Sequence, residues 1–130
     1  MSGMTFIVPG PPVAKQRPRR APAGNWYTPA RTKRYEELVA WSAKAAGIVL
    51  EEGVQYVLRL ELHLSAYHGD RDNILKSVMD GLNRLGDDWD DRQVVEATVV
   101  TVPVRDGSEE KAVVTIRPKG TGWAETLEEQ

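Results

Sequence analysis

The stretch "VQYVLRLELHLSAY", Val54 to Tyr67, constrains the fold more than any other. Tyr56, Leu58, Leu60, Leu62 and Leu64 alternate with Arg59, Glu61, His63 and Ser65. A period of two with one apolar side reads as a half-buried strand. Such a strand needs neighbours in a sheet and a layer over its apolar face. The next segment supplies the layer. From Asp72 to Leu85 the pattern is helical, with Leu75, Val78, Met79, Leu82 and Leu85 as the apolar stripe. Asn73, Lys76, Asp80 and Asn83 form the polar stripe opposite. After the turn "GDDWDD" comes "QVVEATVVTVPV", a long β-branched strand, and then "KAVVTIRP", another. Between them "RDGSEE" holds Asp106-Gly107, a hairpin signal.

Upstream, "MTFIVPG" reads as a first strand ending at Pro9-Gly10. The proline-rich basic stretch that follows has no apolar period and reads as a loop or arm over residues 10–31. An irregular segment of that length in a small domain is functional or disordered. Trp26 and Tyr27 within it either stack on bases or pin the arm to the core, and pinning is the favoured reading. From Thr32 to Ala46 a helix is expected, with Tyr35, Leu38, Val39, Ser42, Ala45 and Ala46 on one face and Gly47 as its stop. The order is strand, helix, strand, helix, strand, strand. It predicts an α/β fold of α+β character: one mixed four-stranded sheet with two helices on one face, its first crossover parallel and right-handed.

At 130 residues one domain is expected, over residues 1–118, with 119–130 as a disordered tail. The absence of cysteine excludes disulfides and thiolate metal sites and fits a cytoplasmic location. No stretch resembles a signal peptide or a membrane span. Net charge is −2, but its distribution is lopsided. Met1 to Arg34 holds no acid and carries Lys15, Arg17, Arg19, Arg20, Arg31, Lys33 and Arg34. All 19 acids lie in the rest, against the other ten basic residues. The plain reading is a basic tail; the functional one is an arm that grips phosphates.

In "GDRDN", Asp70 and Asp72 flank the point where strand gives way to helix, and two residues apart in extended chain they project to one side. Asp91 precedes the next strand. If that strand runs beside the one ending near Tyr67, Asp91 can join the pair, and three oxygen ligands suit magnesium. Gly69 allows close backbone approach. The competing reading makes Asp72 an N-cap and Asp87, Asp88 and Asp90 solvated turn residues. Lys76, one turn past Asp72, is either a surface ion-pair partner of Asp72 or Asp80, or an ammonium that stabilises charge on phosphorus. Asp80 can hold Lys76, and Asn73 can bond a carboxylate or a phosphate oxygen. His63 reads as structural; His68 is a candidate phosphate contact. Neither a nucleophilic triad nor a glycine-rich phosphate loop is present.

"DRDNILKSVMDGL" followed by "DDRQVV" resembles the signature of RusA-type Holliday junction resolvases. "VPGPPVAKQRPR" and "YTPARTKRYEE" resemble that family's opening, so the likeness covers nearly the whole chain except the tail. The resemblance implies a homodimeric endonuclease that uses magnesium, with manganese as a substitute, and nicks four-way DNA junctions symmetrically in recombination and repair. It implies Asp70, Asp72 and Asp91 as catalytic metal ligands and Lys76 as a catalytic cation, with Asn73, Asp80 and Asp90 in support. The arm, from Lys15 to Arg34, is the expected DNA contact. Two departures stand out. His68 and Gly69 occupy positions that are basic in some members, and Arg92 follows the paired acids where a small residue is expected. The alternatives are another structure-selective, metal-dependent phosphodiesterase and a non-catalytic DNA-binding module.

Overall fold

Strand β1 spans Met4–Pro9 and is followed by two short strands in the arm, β2 (Arg19–Arg20) and β3 (Trp26–Tyr27). Helix α1 (Ala30–Ala45) leads to β4 (Tyr56–Leu64), α2 (Arg71–Leu82), β5 (Val94–Pro103) and β6 (Lys111–Pro118). This computed structural model describes residues 3–27 and 29–120, so most of the expected tail lies outside the described residues. Lys119 is tied down, its amide donating to the Gln55 carbonyl at 2.8 Å. The main sheet has four strands in the order β1-β6-β4-β5. β6 is antiparallel to both β1 and β4, while β5 is parallel to β4. The expected mixed sheet is therefore present. Its first crossover joins strands that point the same way, with β6 lying between them.

Alternation on β4 does what its period requires. Leu58, Leu60 and Leu62 sit in register with Ile116, Val114 and Ala112, and Phe6 and Val8 extend the row across β1. All are buried, together with Tyr35, Val39 and Ala43 of α1 and Ile74, Val78 and Leu82 of α2. Each such aliphatic side chain contributes about 1.5–3 kcal/mol of burial free energy. The opposite face carries Arg59, Glu61 and His63, half-buried and linked through Glu61 at 3.4 and 3.2 Å. That supports the structural role read for His63.

Four expectations change. β5 and β6 form no hairpin, because β4 already holds β5 in parallel on one edge and takes β6 on the other. The chain must cross the end of β4 to reach β6, and Asp106-Gly107 opens a short 3-10 turn on that crossing. The arm, read as irregular, contains the antiparallel β2–β3 pair. On α1 the buried face takes in Glu36 and Ala43, while Ala45 and Ala46 are exposed and Leu38 is half-buried. Glu36 is admitted because Lys15 and Arg84 neutralise it. On α2 the buried positions are Ile74, Ser77, Val78, Gly81 and Leu82, with Leu75, Met79 and Leu85 only half-buried. Gly81 explains the rotation. A Cβ there would lie 2.7 Å from the Val39 Cβ and 2.8 Å from the Glu36 carbonyl oxygen, so the two helices touch backbone to backbone.

Candidate active site

The chain leaves β4 at Leu64 and reaches α2 through residues 65–69. Gly69 has φ +110°, and a Cβ on it would stand 2.8 Å from the Ala14 Cβ. Glycine is thus required twice, for the turn and for the arm to pass alongside. Helix α2 starts at Arg71, so Asp70 is the N-cap and Asp72 falls in the first turn. The competing reading made Asp72 the cap. Neither carboxylate caps: Asp70 makes no side-chain cap bond, and its Oδ1 accepts from the Tyr67 hydroxyl at 3.2 Å. Both acids are exposed at the N-terminal mouth of α2, where the helix dipole favours negative charge. Two uncapped carboxylates here are a hard-oxygen donor pair of the kind a divalent cation takes.

Asp91 does not join them within the chain. It opens the turn Asp91–Gln93, just before β5. Because β5 runs parallel to β4, Val94 pairs with Tyr56, whereas the acidic loop follows Leu64, which pairs with Pro103. Eight strand steps from Tyr56 to Leu64 at the usual rise put the two ends about 26 Å apart. The expectation that a neighbouring strand would deliver Asp91 overlooked direction: adjacency in a parallel pair carries the start of one strand to the start of the other. Among the described residues no group of three acids, histidines or cysteines can hold a metal ion. At its own end of the sheet, Asp90 caps the turn and grips Arg92 with both oxygens at 3.1 Å. The Arg92 guanidinium beside it holds the Asp90 carboxyl below the usual range.

Lys76 lies on the exposed side of α2 and, among the described residues, is in no ion pair shown. With Asn73 and Asp80 it borders a groove of about 400 Å³ whose other wall is Lys15, Gln16, Arg17 and Pro18. Asp80 does not hold Lys76. It holds the Lys15 ammonium at 3.0 Å, and buried Glu36 takes the same ammonium at 2.6 Å. Burial pulls the Lys15 pKa down, but these two carboxylates outweigh it and leave the pKa raised. Lys15 is therefore a clasp that fastens the arm to both helices, and its ammonium is committed rather than free for DNA. Arg17, Arg19, Arg20, Arg31, Lys33 and Arg34 are exposed. Trp26 and Tyr27 are 69% and 48% exposed, so they do not pin the arm.

Two supporting residues were invisible in the sequence. Glu36 reads there as one more helix-surface acid, yet it joins Lys15 to Arg84. Glu110 reads as part of a turn, yet it is buried, accepts the Ser65 amide at 2.8 Å and meets His68 Nε2 at 2.8 Å. The Ser65 amide, with help from His68, holds the Glu110 carboxyl below its ordinary pKa despite burial. His68, a candidate phosphate contact by sequence, instead ties the acidic loop to the β5–β6 connection.

Residues 9–117 match the family model described as Endodeoxyribonuclease RusA. The matched span runs from the end of β1 into β6 and includes the arm, both helices and the acidic loop. That settles the class, an endodeoxyribonuclease, a hydrolase acting on DNA. The chain belongs to the RusA family. It is 29% identical over 116 residues to the crossover junction endodeoxyribonuclease RusA of Escherichia coli (strain K12), covering 88% of this chain and 96% of that protein. The proteins of the same name from Shigella sonnei (strain Ss046) and Enterobacteria phage 82 are 28% and 29% identical over the same shares.

Proposed function

We propose that the chain is a magnesium-dependent endonuclease that resolves four-way DNA junctions by paired symmetric nicks in recombination and repair. It works as a two-fold dimer whose sites each combine Asp70 and Asp72 with Asp91 of the partner subunit. The observation that carries this reading is the parallel β4–β5 register, with two uncapped carboxylates at one end of the sheet and the third acid at the other. A two-fold copy reverses strand direction, so its Asp91 end can meet the Asp70 end. β5 supports such a contact: it is an edge strand of ten residues, seven of them apolar, its one charge is Glu96, it has no lysine, and it is exposed or half-buried along its whole length. Long apolar edges are covered in stable proteins. The relatives' printed name, crossover junction endodeoxyribonuclease, supports the substrate.

The chemistry divides simply among the residues. Asp70, Asp72 and the partner's Asp91 would hold the ion, which when bound would polarise the phosphate and activate a water for attack. Lys76 offsets charge that builds on phosphorus, and Asn73 orients a phosphate oxygen beside it. Since the acids repel DNA, the arm's exposed arginines and Lys33 supply attraction, which weakens steeply with salt. The test is cleavage of four-way, forked and duplex DNA in magnesium, in manganese and with chelator. Four-way cutting that needs the metal, and that Asp70→Asn abolishes while junction binding survives, fits the proposal. An Asp70→Asn protein that cuts like wild type refutes it, and equal cutting of all three substrates marks a general phosphodiesterase instead.

A further inference from the structure

Trp26 and Tyr27 of β3 have no role in the chemistry above, yet the arm is built to hold the β2–β3 pair out in solution. Its register sets Arg19 opposite Tyr27 and Arg20 opposite Trp26. Directly opposed residues of an antiparallel pair project to the same face. Each face of the hairpin therefore carries one guanidinium and one aromatic ring. The rings are 69% and 48% exposed, and Arg19 and Arg20 are exposed beside them. A two-stranded ribbon is marginal on its own, so this one is fastened. At its tip the Ala21 amide donates to the Asn25 carbonyl at 2.7 Å and the Gly24 amide to the Ala21 carbonyl at 2.8 Å. At its root the Lys15 amide donates to the Asn73 carbonyl at 2.8 Å and the Gln16 amide to Thr32 Oγ1 at 3.3 Å. The Lys15 ammonium clasp on Glu36 and Asp80 completes the anchorage.

That root is one wall of the Lys76 groove, and Arg17 and Pro18 lead from it directly into β2. A strand seated at Lys76 would run along the groove onto the hairpin. The chain holds no acid before residue 35, so the arm's side of this surface favours a polyanion, and the acid on the groove's other wall, Asp80, is paired to Lys15. Exposed rings beside arginines offer stacking to bases and pairing to phosphates at once. In a continuous duplex, however, base faces are covered by their neighbours. Only a branch point or an unpaired stretch presents a free face.

Resting on the DNA reading above, we infer that this hairpin is a stacking platform for nucleobases unstacked at a DNA branch, with Trp26 and Tyr27 receiving bases while Arg19 and Arg20 hold the flanking phosphates. The platform gives the enzyme a means of preferring branched over linear DNA that lies outside the acidic site.

The test measures metal-free binding of a four-way junction, carrying 2-aminopurine at the branch, and of a duplex of equal length. Trp26→Ala should weaken junction binding by about ten- to a hundredfold, the worth of one stacked base, and relieve quenching of the branch 2-aminopurine. Duplex binding should change less than about twofold, because backbone contacts dominate there. Trp26→Phe should keep most of the junction preference, and Tyr27→Ala should repeat the effect of Trp26→Ala. Unchanged thermal unfolding of these surface variants would exclude a folding defect. Unaltered junction binding in both alanine variants, or equal losses on junction and duplex, overturns the inference while leaving the nuclease reading intact. A wild-type protein that binds neither DNA sinks both.

Discussion

Mixing two inactive variants tests the shared site most sharply. Asp70→Asn damages the α2 end of the sheet and Asp91→Asn the β5 start, and these ends of one chain are about 26 Å apart. If each site draws its acids from both subunits, a mixed dimer holds one site with both lesions and one with none. Random reassortment makes half of the dimers mixed, each with one of two sites intact, so about one quarter of wild-type sites return. The assay is junction cleavage after co-refolding or subunit exchange, read on a denaturing gel with each strand labelled. Mixed dimers should nick one strand without the paired second cut, which separates recovery from wild-type contamination. Asp70→Asn mixed with Asp72→Asn is the control. Both lesions lie at the same end, so no mixed dimer regains a complete set. Failure of the Asp70→Asn and Asp91→Asn mixture to recover, in subunits shown to exchange, would refute the reasoning. It would equally be refuted if the control mixture recovered.

Gly81→Ala should destabilise the fold by up to about 2 kcal/mol: overpacking against Val39 and the Glu36 carbonyl costs about 1–3 kcal/mol, and the helix preference of alanine returns about 1 kcal/mol. Urea unfolding checks this, and a stabilised variant would mean that α1 and α2 separate easily. Glu110 has a folded-state pKa below its ordinary value, held down first by the Ser65 amide and then by His68. Its contribution is therefore fully present above the ordinary carboxylate pKa and lost as pH falls through the depressed value. Glu110→Gln should flatten the acid side of the melting-temperature profile, below the ordinary carboxylate pKa; a profile parallel to wild type would contradict the Ser65 contact.

How much was legible follows the reach of each interaction. Strand periodicity on β4, the helical period of α2 and the β-branched runs of β5 and β6 are local patterns, and each was readable with no partner in view, whereas the buried face of α2 depended on its contact with α1. Asp70, Asp72 and Lys76 stood out for the same reason, since seven consecutive residues hold all three. Asp106-Gly107 misled because a turn signal reports a change of direction and is silent on which strand lies beyond it. Lys15 looked like one more arm cation, because Glu36 and Asp80 are 21 and 65 residues away in sequence.

The amino-acid order by itself determined the two helices, the four strands of the main sheet, the acid-free arm and the family, since these rest on short-range spacing and on motifs that spacing preserves. Only the tertiary structure decided that β6 enters between β1 and β4, that Lys15 closes a clasp, that Trp26 and Tyr27 face solvent, and that Asp91 stands at the far end from Asp70 and Asp72. The reason is directional. Side-chain periodicity reports which face of an element is buried, but not whether its neighbour runs alongside it or against it.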